Sequence, residues 1–173
     1  IYPGATHNRF SHSLGTYEIA RKVLNRLRVD MTENTRLSIL AACLLHDIGH
    51  LLHDLPDDAS DNGIDDMHEL LGNKYLQNYF KLAAVEPVKL HVQAKRYLCA
   101  VEQGYYETLS EPSKISLQFQ GGIMTEDEVV LFEQNEFYKE AVNLRRWDDL
   151  AKDANIVSPA IDTFVNAIEN SLK

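Results

Sequence analysis

Histidine and aspartate side chains are concentrated in the first half of the sequence, in a pattern suited to binding metal ions. All seven histidines precede residue 92, and the segment Leu44-Leu45-His46-Asp47-Ile48-Gly49-His50 places a histidine directly before an aspartate. A charged aspartate in an apolar stretch is unfavourable unless it is paired with a cation or bound to one. The crowding therefore favours a metal site over isolated structural histidines.

Adjacent residues of a helix point roughly 100° apart, so His46 and Asp47 converge on one ion only near a helix end. An aspartate that bridges two ions relaxes that demand. The other candidate ligands lie on separate predicted helices: His12, His68, His91 and Asp148. Imidazoles mixed with carboxylates suit iron, manganese or zinc better than calcium or magnesium. The spacing is compatible with one ion or with two, and two ions would lie roughly 3.5–4 Å apart.

Two basic residues share helix faces with candidate ligands. Lys95 follows His91 by four residues, and Arg145 precedes Asp148 by three. A lysine and an arginine that face a metal centre indicate an anionic substrate, such as a phosphorylated compound or a phosphonate. The alternative is that both side chains are solvated and only offset the acidic excess.

These residues need a helical scaffold, which the apolar periodicity predicts along the whole chain. No useful alternating strand pattern occurs, so we expect a single all-α domain over residues 1–173. Pro87 is expected to open the fourth helix, and Thr125 to cap a short element through Glu128. The predicted helices span about residues 6–28, 32–48, 67–80, 87–101, 110–120 and 136–152, with a last one after Ser158-Pro159.

Two segments have competing interpretations. The acidic stretch from Asp54 to Glu69 does not match the calcium-loop spacing, which favours a solvated surface loop or a mobile lid. The Gly121-Gly122 pair could cradle a phosphate, but without a further fingerprint it is more simply a helix stop.

Composition narrows the classes of function. The chain has 173 residues with 17 basic and 26 acidic side chains, a net charge of −9, which argues against nucleic acid as a ligand. It has no apolar run of membrane-spanning length and no signal peptide. Cys43 and Cys99 lie in apolar helical contexts and are expected to be buried thiols in a cytoplasmic protein. Because the sequence begins at Ile1, a preceding segment stays an open question.

The set His12, His46-Asp47 and Asp148 resembles the HD-domain superfamily of metal-dependent helical phosphohydrolases. From His91 onward the chain resembles one branch, the HD-domain mixed-valence di-iron oxygenases of phosphonate catabolism, and most of all the glycine-forming 2-amino-1-hydroxyethylphosphonate dioxygenases. The segments that carry this resemblance are His91–Leu98, Leu117–Met124, Leu131–Glu133 and Arg145–Asp148.

The resemblance implies an HD-domain helical bundle with a buried dinuclear site that holds two iron ions (Fe²⁺/Fe³⁺), with Asp47 bridging them. The implied iron ligands are His12, His46, Asp47, His68, His91 and Asp148. The residues implied to surround the phosphonate are His50, Lys95, Ser113, Ser116 and Arg145, and Tyr2 is implied to cap one iron before substrate binds. The implied reaction cleaves a C–P bond with O₂, releasing phosphate and glycine or an N-methylated glycine such as glycine betaine.

The N-terminal stretch has a different resemblance. Residues Tyr2 to Gly15 resemble the HD deoxynucleotide triphosphohydrolases, in which an arginine at the position of Arg9 contacts phosphate. In the phosphonate oxygenases a glutamate that recognises the substrate amine would fall near Ala5. Either another residue replaces it, or the substrate carries a different nitrogen group such as trimethylammonium, which would suit an aromatic wall.

Two other classes of function stay open from the sequence. One is a metal-dependent phosphohydrolase for nucleotides or phosphate esters, in which His50 assists proton transfer. The other is a catalytically silent HD domain that binds an anion or a partner. Neither the oligomeric state nor the oxidation states of the metals can be inferred from the ligand types.

Overall fold

The computed structural model describes residues 9–26, 31–52, 67–152 and 161–173, which confirm the predicted all-α architecture. Within these ranges the only β pairing is an isolated bridge between Phe80 and Leu172. None of the described helices combines the length and apolar character needed to cross a membrane. The α-helices are α1 (Arg9–Arg26), α2 (Glu33–Leu45), α3 (His68–Leu76), α4 (Leu82–Val101), α5 (Tyr105–Thr108), α6 (Glu111–Phe119), α7 (Glu126–Glu133), α8 (Tyr138–Leu150) and α9 (Val165–Ser171).

Helix α4 lies at the centre of the bundle and packs against α2, α3 and α8, while α2 also contacts α1 and α9. The core between these helices includes Leu40, Val88 and Leu144, each at most 2% exposed. Burying one such aliphatic side chain stabilises the fold by about 1.5–3 kcal/mol. The helices that carry the candidate ligands are therefore held by a shared apolar core.

Helix α2 ends earlier than its apolar pattern predicts. It begins after the Thr32 cap, whose hydroxyl accepts from the Thr35 N–H, and it ends at Leu45. His46 is the C-terminal cap, and Asp47 has φ −93° and ψ 4°, outside helical geometry. A short 3₁₀-helix, Ile48–Leu51, follows. The His-Asp pair thus lies just beyond a helix end, where adjacent side chains need not diverge by 100°.

The prediction that Pro87 opens the fourth helix is wrong. Helix α4 starts at Leu82, and Pro87 is buried inside it. A proline this close to the first turn removes only the bond to the Ala83 carbonyl, and the packed core offsets that loss. The helix start is also fixed by the Lys81 N–H, which donates to the Ser171 carbonyl at 2.8 Å.

The Gly121-Gly122 pair is a helix stop, as its simpler interpretation predicts. Both glycines have positive φ, +98° and +71°, and the Gly122 N–H donates to the Leu117 carbonyl at 2.8 Å. The Arg96 side chain donates to both glycine carbonyls and to Glu128. The pair therefore presents carbonyls to an arginine, which does not suit a phosphate.

Two predicted helix caps are confirmed: Ser110 caps α6, and Thr125 forms a capping box with Glu128. Of the two cysteines, Cys43 is buried as predicted, whereas Cys99 is partly exposed. The short helix α5 was not predicted. Most of the acidic stretch from Asp54, together with the proposed Ser158-Pro159 cap, lies outside the described residues.

Candidate metal centre and anion pocket

Six side chains from five parts of the chain meet in the interior as two groups of three. Within each group the candidate ligand atoms all lie within 4.8 Å of one another. These six are the residues that the sequence and its resemblance predict as ligands. The first group is His12, His46 and Asp148, and the second is Asp47, His68 and His91.

The first group joins α1, the end of α2 and α8. His12 Nε2 lies 2.8 Å from Asp148 Oδ1, and His46 Nε2 lies 3.9 Å from the same oxygen. Burial opposes ionisation of His12, but the hydrogen bond and charge of Asp148 outweigh it and raise the pKa of this histidine. Burial likewise opposes the charge of Asp148, yet Lys152 and Arg145 keep its pKa well below the usual range. Both cations thus favour the ionised form of Asp148, which is the form that binds a metal ion.

The second group joins the 3₁₀ segment, α3 and α4. His68 Nε2 lies 3.0 Å from His91 Nε2, so two imidazole nitrogens face the same point. Burial, followed by the neighbouring His68 and His46, lowers the pKa of His91 well below its ordinary value. The pKa of Asp47 is also lowered, because the surrounding histidines outweigh the effect of burial. A neutral imidazole beside an ionised carboxylate is the protonation pattern that metal binding requires.

Backbone carbonyls orient two of the imidazoles. His46 Nδ1 donates to the Cys43 carbonyl at 2.9 Å, and His91 Nδ1 donates to the Val88 carbonyl at 2.6 Å. Each bond leaves Nε2 as the atom with a free lone pair. His46 Nε2 is buried and has no hydrogen-bond partner in the described part of the chain. A buried acceptor without a partner is costly unless a cation occupies the site, so these residues fit a metal.

Asp47 lies between the two groups. Its Oδ1 is 3.4 Å from His46 Nε2 of the first group and 3.6 Å from His50 Nε2. The His50 ring stacks on His68, with ring centroids 4.0 Å apart. Asp47 can thus contribute to both groups, and His50 stands beside the second.

A close backbone contact sets the position of His68. A Cβ placed on Gly49 would lie 1.8 Å from the His68 carbonyl oxygen, a distance no side chain can adopt. The residue before His68, Met67, has φ +47°, an uncommon backbone conformation for a side-chain-bearing residue. The glycine of the His-Asp-Ile-Gly-His segment therefore allows α3 to start directly against the 3₁₀ turn.

Two buried cations, Lys95 and Arg145, lie beside the metal-binding groups and define, with Ser113 and Ser116, a candidate anion pocket. Lys95 is 4% exposed, and its ammonium donates to Ser116 Oγ at 2.9 Å. Burial first, and then the positive charges of Arg145 and Lys152, lower the pKa of Lys95 to about 7. Ser113 is buried on the same helix as Ser116, next to the Ser110 hydroxyl at 3.0 Å.

Arg145 is buried and is held by more partners than the sequence suggests. Its Nη1 lies 2.8 Å from Asp148 Oδ2, and its Nε donates to the Tyr105 hydroxyl at 3.2 Å. Asp149 accepts from both Nε and Nη2 of the same guanidinium. Sequence reasoning missed Tyr105, Asp149 and Lys152. The only available signal was the second aspartate of Arg145-Arg146-Trp147-Asp148-Asp149.

The predicted site residues thus divide into two sets. The structure brings together all six candidate ligands with His50. Of the other four, Arg145 contacts Asp148, while Lys95 contacts Ser116 on the helix that also carries Ser113. Tyr2, Ala5 and the side chain of Arg9 lie outside the described part of the chain.

Comparison with known proteins assigns the scaffold. The model of the HD domain family matches residues 9–120. Hydroxymethylphosphonate dioxygenase from Gimesia maris is 42% identical over 143 residues, which cover 82% of this chain and 71% of that protein. The glycine-betaine-forming [1-hydroxy-2-(trimethylamino)ethyl]phosphonate dioxygenase from Leisingera caerulea is 39% identical over 121 residues, which cover 70% of this chain and 62% of that protein.

Proposed function

Because the chain belongs to the HD-domain family, and within it to the phosphonate dioxygenases, we propose that it cleaves the carbon–phosphorus bond of a short 1-hydroxyalkylphosphonate with O₂. The observation that carries this proposal is the pair of buried cations, Lys95 and Arg145, beside two three-ligand groups. Such a pair selects a compact dianion and places it next to the metals.

We propose two iron ions as the metals. His12, His46 and Asp148 would hold one, His68 and His91 the other, and Asp47 would serve both. When bound, the irons supply Lewis acidity toward the substrate oxygens and the redox chemistry with O₂. The support is the donor set itself, four imidazoles and two carboxylates, together with the family.

The side chains of the pocket bind and orient the substrate. Lys95 and Arg145 offset the charge of the phosphonate, which could not otherwise leave water for a buried site. We propose that the hydroxyls of Ser113 and Ser116 bind its oxygens, the Ser116 hydroxyl by leaving the Ser113 carbonyl to which it donates at 3.1 Å, and that His50 contacts it from the second group. Tyr2, proposed to cap one iron before the substrate binds, awaits a test by mutation.

We propose hydroxymethylphosphonate as the first substrate to test. It has no amine, and Ala5 supplies no carboxylate to recognise one. The Gimesia maris relative is named for this substrate. The balanced reaction consumes one O₂ and yields formate, phosphate and one proton. The amine-bearing substrates expected from the sequence, with a free amine or a trimethylammonium group, come second.

The test is phosphate release from the three hydroxyphosphonates by iron-reconstituted protein, with and without O₂. We expect oxygen-dependent release that is fastest with hydroxymethylphosphonate, and equimolar formate in that reaction. Oxygen-independent release from deoxynucleotides would instead support the phosphohydrolase alternative. Release that is unchanged by iron removal would contradict the proposal.

Anion binding should depend on pH through Lys95. Because the pKa of Lys95 is lowered to about 7, the ammonium is lost as pH rises above 7. Sulfate stays a dianion over this range, so its affinity for the anaerobic iron-loaded protein should fall by up to about tenfold per pH unit between pH 7 and 9. Lys95→Arg keeps its charge and should show a flat profile in the same titration. A wild-type affinity that does not change with pH would contradict this assignment.

A further inference from the structure

Asp149 lies one residue beyond a candidate ligand and contacts two cations and a tyrosine. Its Oδ1 lies 2.5 Å from Arg145 Nη2 and 2.7 Å from Lys152 Nζ. Its Oδ2 accepts from Arg145 Nε at 3.2 Å and from the Tyr105 hydroxyl. Tyr105 is buried on α5, so the contact fastens the end of α8 to a different helix.

Two neighbouring aspartates, Asp148 and Asp149, together offset the positive charge of Arg145. Asp148 directs Oδ2 to Arg145 at 2.8 Å and Oδ1 to His12. Its charge is therefore shared with the metal-binding group. Arg145 is only 6% exposed, and a buried guanidinium needs a full counter-charge. Asp149 supplies that charge without using a metal ligand.

This arrangement leaves part of Arg145 available. A guanidinium has five N–H groups, and within the described ranges three of those of Arg145 have partners, which are Asp148, Asp149 and the Tyr105 hydroxyl. The remaining two stay fixed in direction because the planar group is held on two edges. A pair of donors with a fixed direction binds an anion more tightly than a mobile pair, because less conformational entropy is lost on binding.

The adjacent residue shows what a simple surface ion pair looks like on this helix. Arg146 pairs with Glu102, and both side chains are at least 40% exposed. Such exposed pairs contribute little to stability. The contacts of Asp149 differ because its side chain is only 25% exposed and the side chain of its partner Arg145, 7% exposed, also contacts the candidate ligand Asp148.

We propose that Asp149 is a positioning residue, locked by Tyr105, which holds Arg145 and Lys152 in the directions needed to bind the substrate anion and to orient Asp148. The inference builds on the proposed function but is tested through binding of an unreactive anion. Without Asp149, Asp148 would be the one carboxylate left to Arg145 among the described residues, so its charge would be drawn from the first metal-binding group and the guanidinium would lose its fixed direction.

The experiment compares Tyr105→Phe and Asp149→Asn with the matched surface control Glu102→Gln, all loaded anaerobically with ferrous iron. The probe is methylphosphonate, which lacks the 1-hydroxyl, and its affinity is measured by calorimetry. We expect about fivefold weaker binding for Tyr105→Phe, and a larger loss, about 10- to 100-fold, for Asp149→Asn. Asp149→Asn should also lose iron to a chelator several times faster than the control.

Thermal unfolding separates positioning from a merely structural role. Tyr105→Phe should unfold within a few degrees of wild type, so its weaker binding would not reflect a damaged fold. If Asp149→Asn folds poorly, the Tyr105→Phe variant alone still tests the proposal. Equal methylphosphonate affinity in Tyr105→Phe and wild type, or an equal loss in Glu102→Gln, would overturn the proposal. Because the binding measurement needs no turnover, a chain that fails to cleave C–P bonds would still give a clear result.

Discussion

A Gly49→Ala variant is expected to keep its helical fold but to lose about half of its bound iron and most of its activity. The added Cβ would lie 1.8 Å from the His68 carbonyl oxygen, so the start of α3 must move away from the 3₁₀ turn. His68 would then leave His91, while the first group stays intact. A displacement of about 1 Å can reduce the rate roughly 100-fold.

The measurement is iron per chain by elemental analysis, together with kcat/KM for the hydroxyphosphonate. We expect iron to fall from about two ions per chain to about one, and kcat/KM to fall roughly 100-fold or more. Gly72→Ala is the matched control, because its Cβ would meet its neighbours only at 3.4 Å or beyond. Full iron content and near wild-type kcat/KM in Gly49→Ala would refute the steric argument.

A Lys95→Met variant should lose substrate binding and gain stability. Loss of a charged donor to a buried anion is expected to reduce kcat/KM about 100-fold, since hydrogen bonds to charged groups contribute about 1.5–3 kcal/mol. Methionine keeps much of the apolar stem while removing the ammonium that burial disfavours. Lys95 is thus expected to support function at the expense of stability.

The direction of the stability change follows from proton binding. The pKa of Lys95 is about 7 in the fold, against its ordinary value of 10.5. Between these two values the unfolded chain binds the proton and the folded chain does not, so wild-type stability falls as pH decreases from about 10.5 to 7. Lys95→Met removes this penalty. At pH 7.5 its unfolding temperature should therefore rise by several degrees.

Adding sulfate gives the internal check for this second prediction. The anion favours the protonated lysine and should therefore raise the unfolding temperature of wild type but not of Lys95→Met. A variant that unfolds at a lower temperature than wild type without anion, at the same pH, would contradict the assignment of Lys95 as a destabilising buried cation.

The sequence was sufficient to predict the all-α fold and its family, because the evidence for both is local. Helical periodicity and the caps at Ser110 and Thr125 act within one or two turns. The family resemblance rests on contiguous segments such as Leu44–His50. The sequence could not predict that α2 ends at Leu45, because its apolar pattern continues past that residue and tertiary contacts decide where the helix stops.

Contacts between residues far apart in the sequence could not be predicted, for a related reason. Tyr105 and Asp149 are 44 residues apart, and no motif links a tyrosine on a four-residue helix to the end of α8. Pro87 shows that a local signal can also mislead. Proline usually marks a helix start, but here packing of the preceding turn extends the helix back to Leu82. Local chemistry predicted which residue types would be needed, whereas the packing determined which residues support them.

The position of Cys43 has a consequence for the durability of an enzyme that uses O₂. This thiol lies three residues before His46, whose Nδ1 donates a hydrogen bond to the Cys43 carbonyl. Complete burial raises the pKa of the thiol well above its ordinary value, so almost none of it is the thiolate that oxidants attack. Conversion to sulfenic acid beside the metal centre is thereby suppressed. The partly exposed Cys99 should be modified first, and alkylation of Cys43 would report the rare opening of the whole bundle.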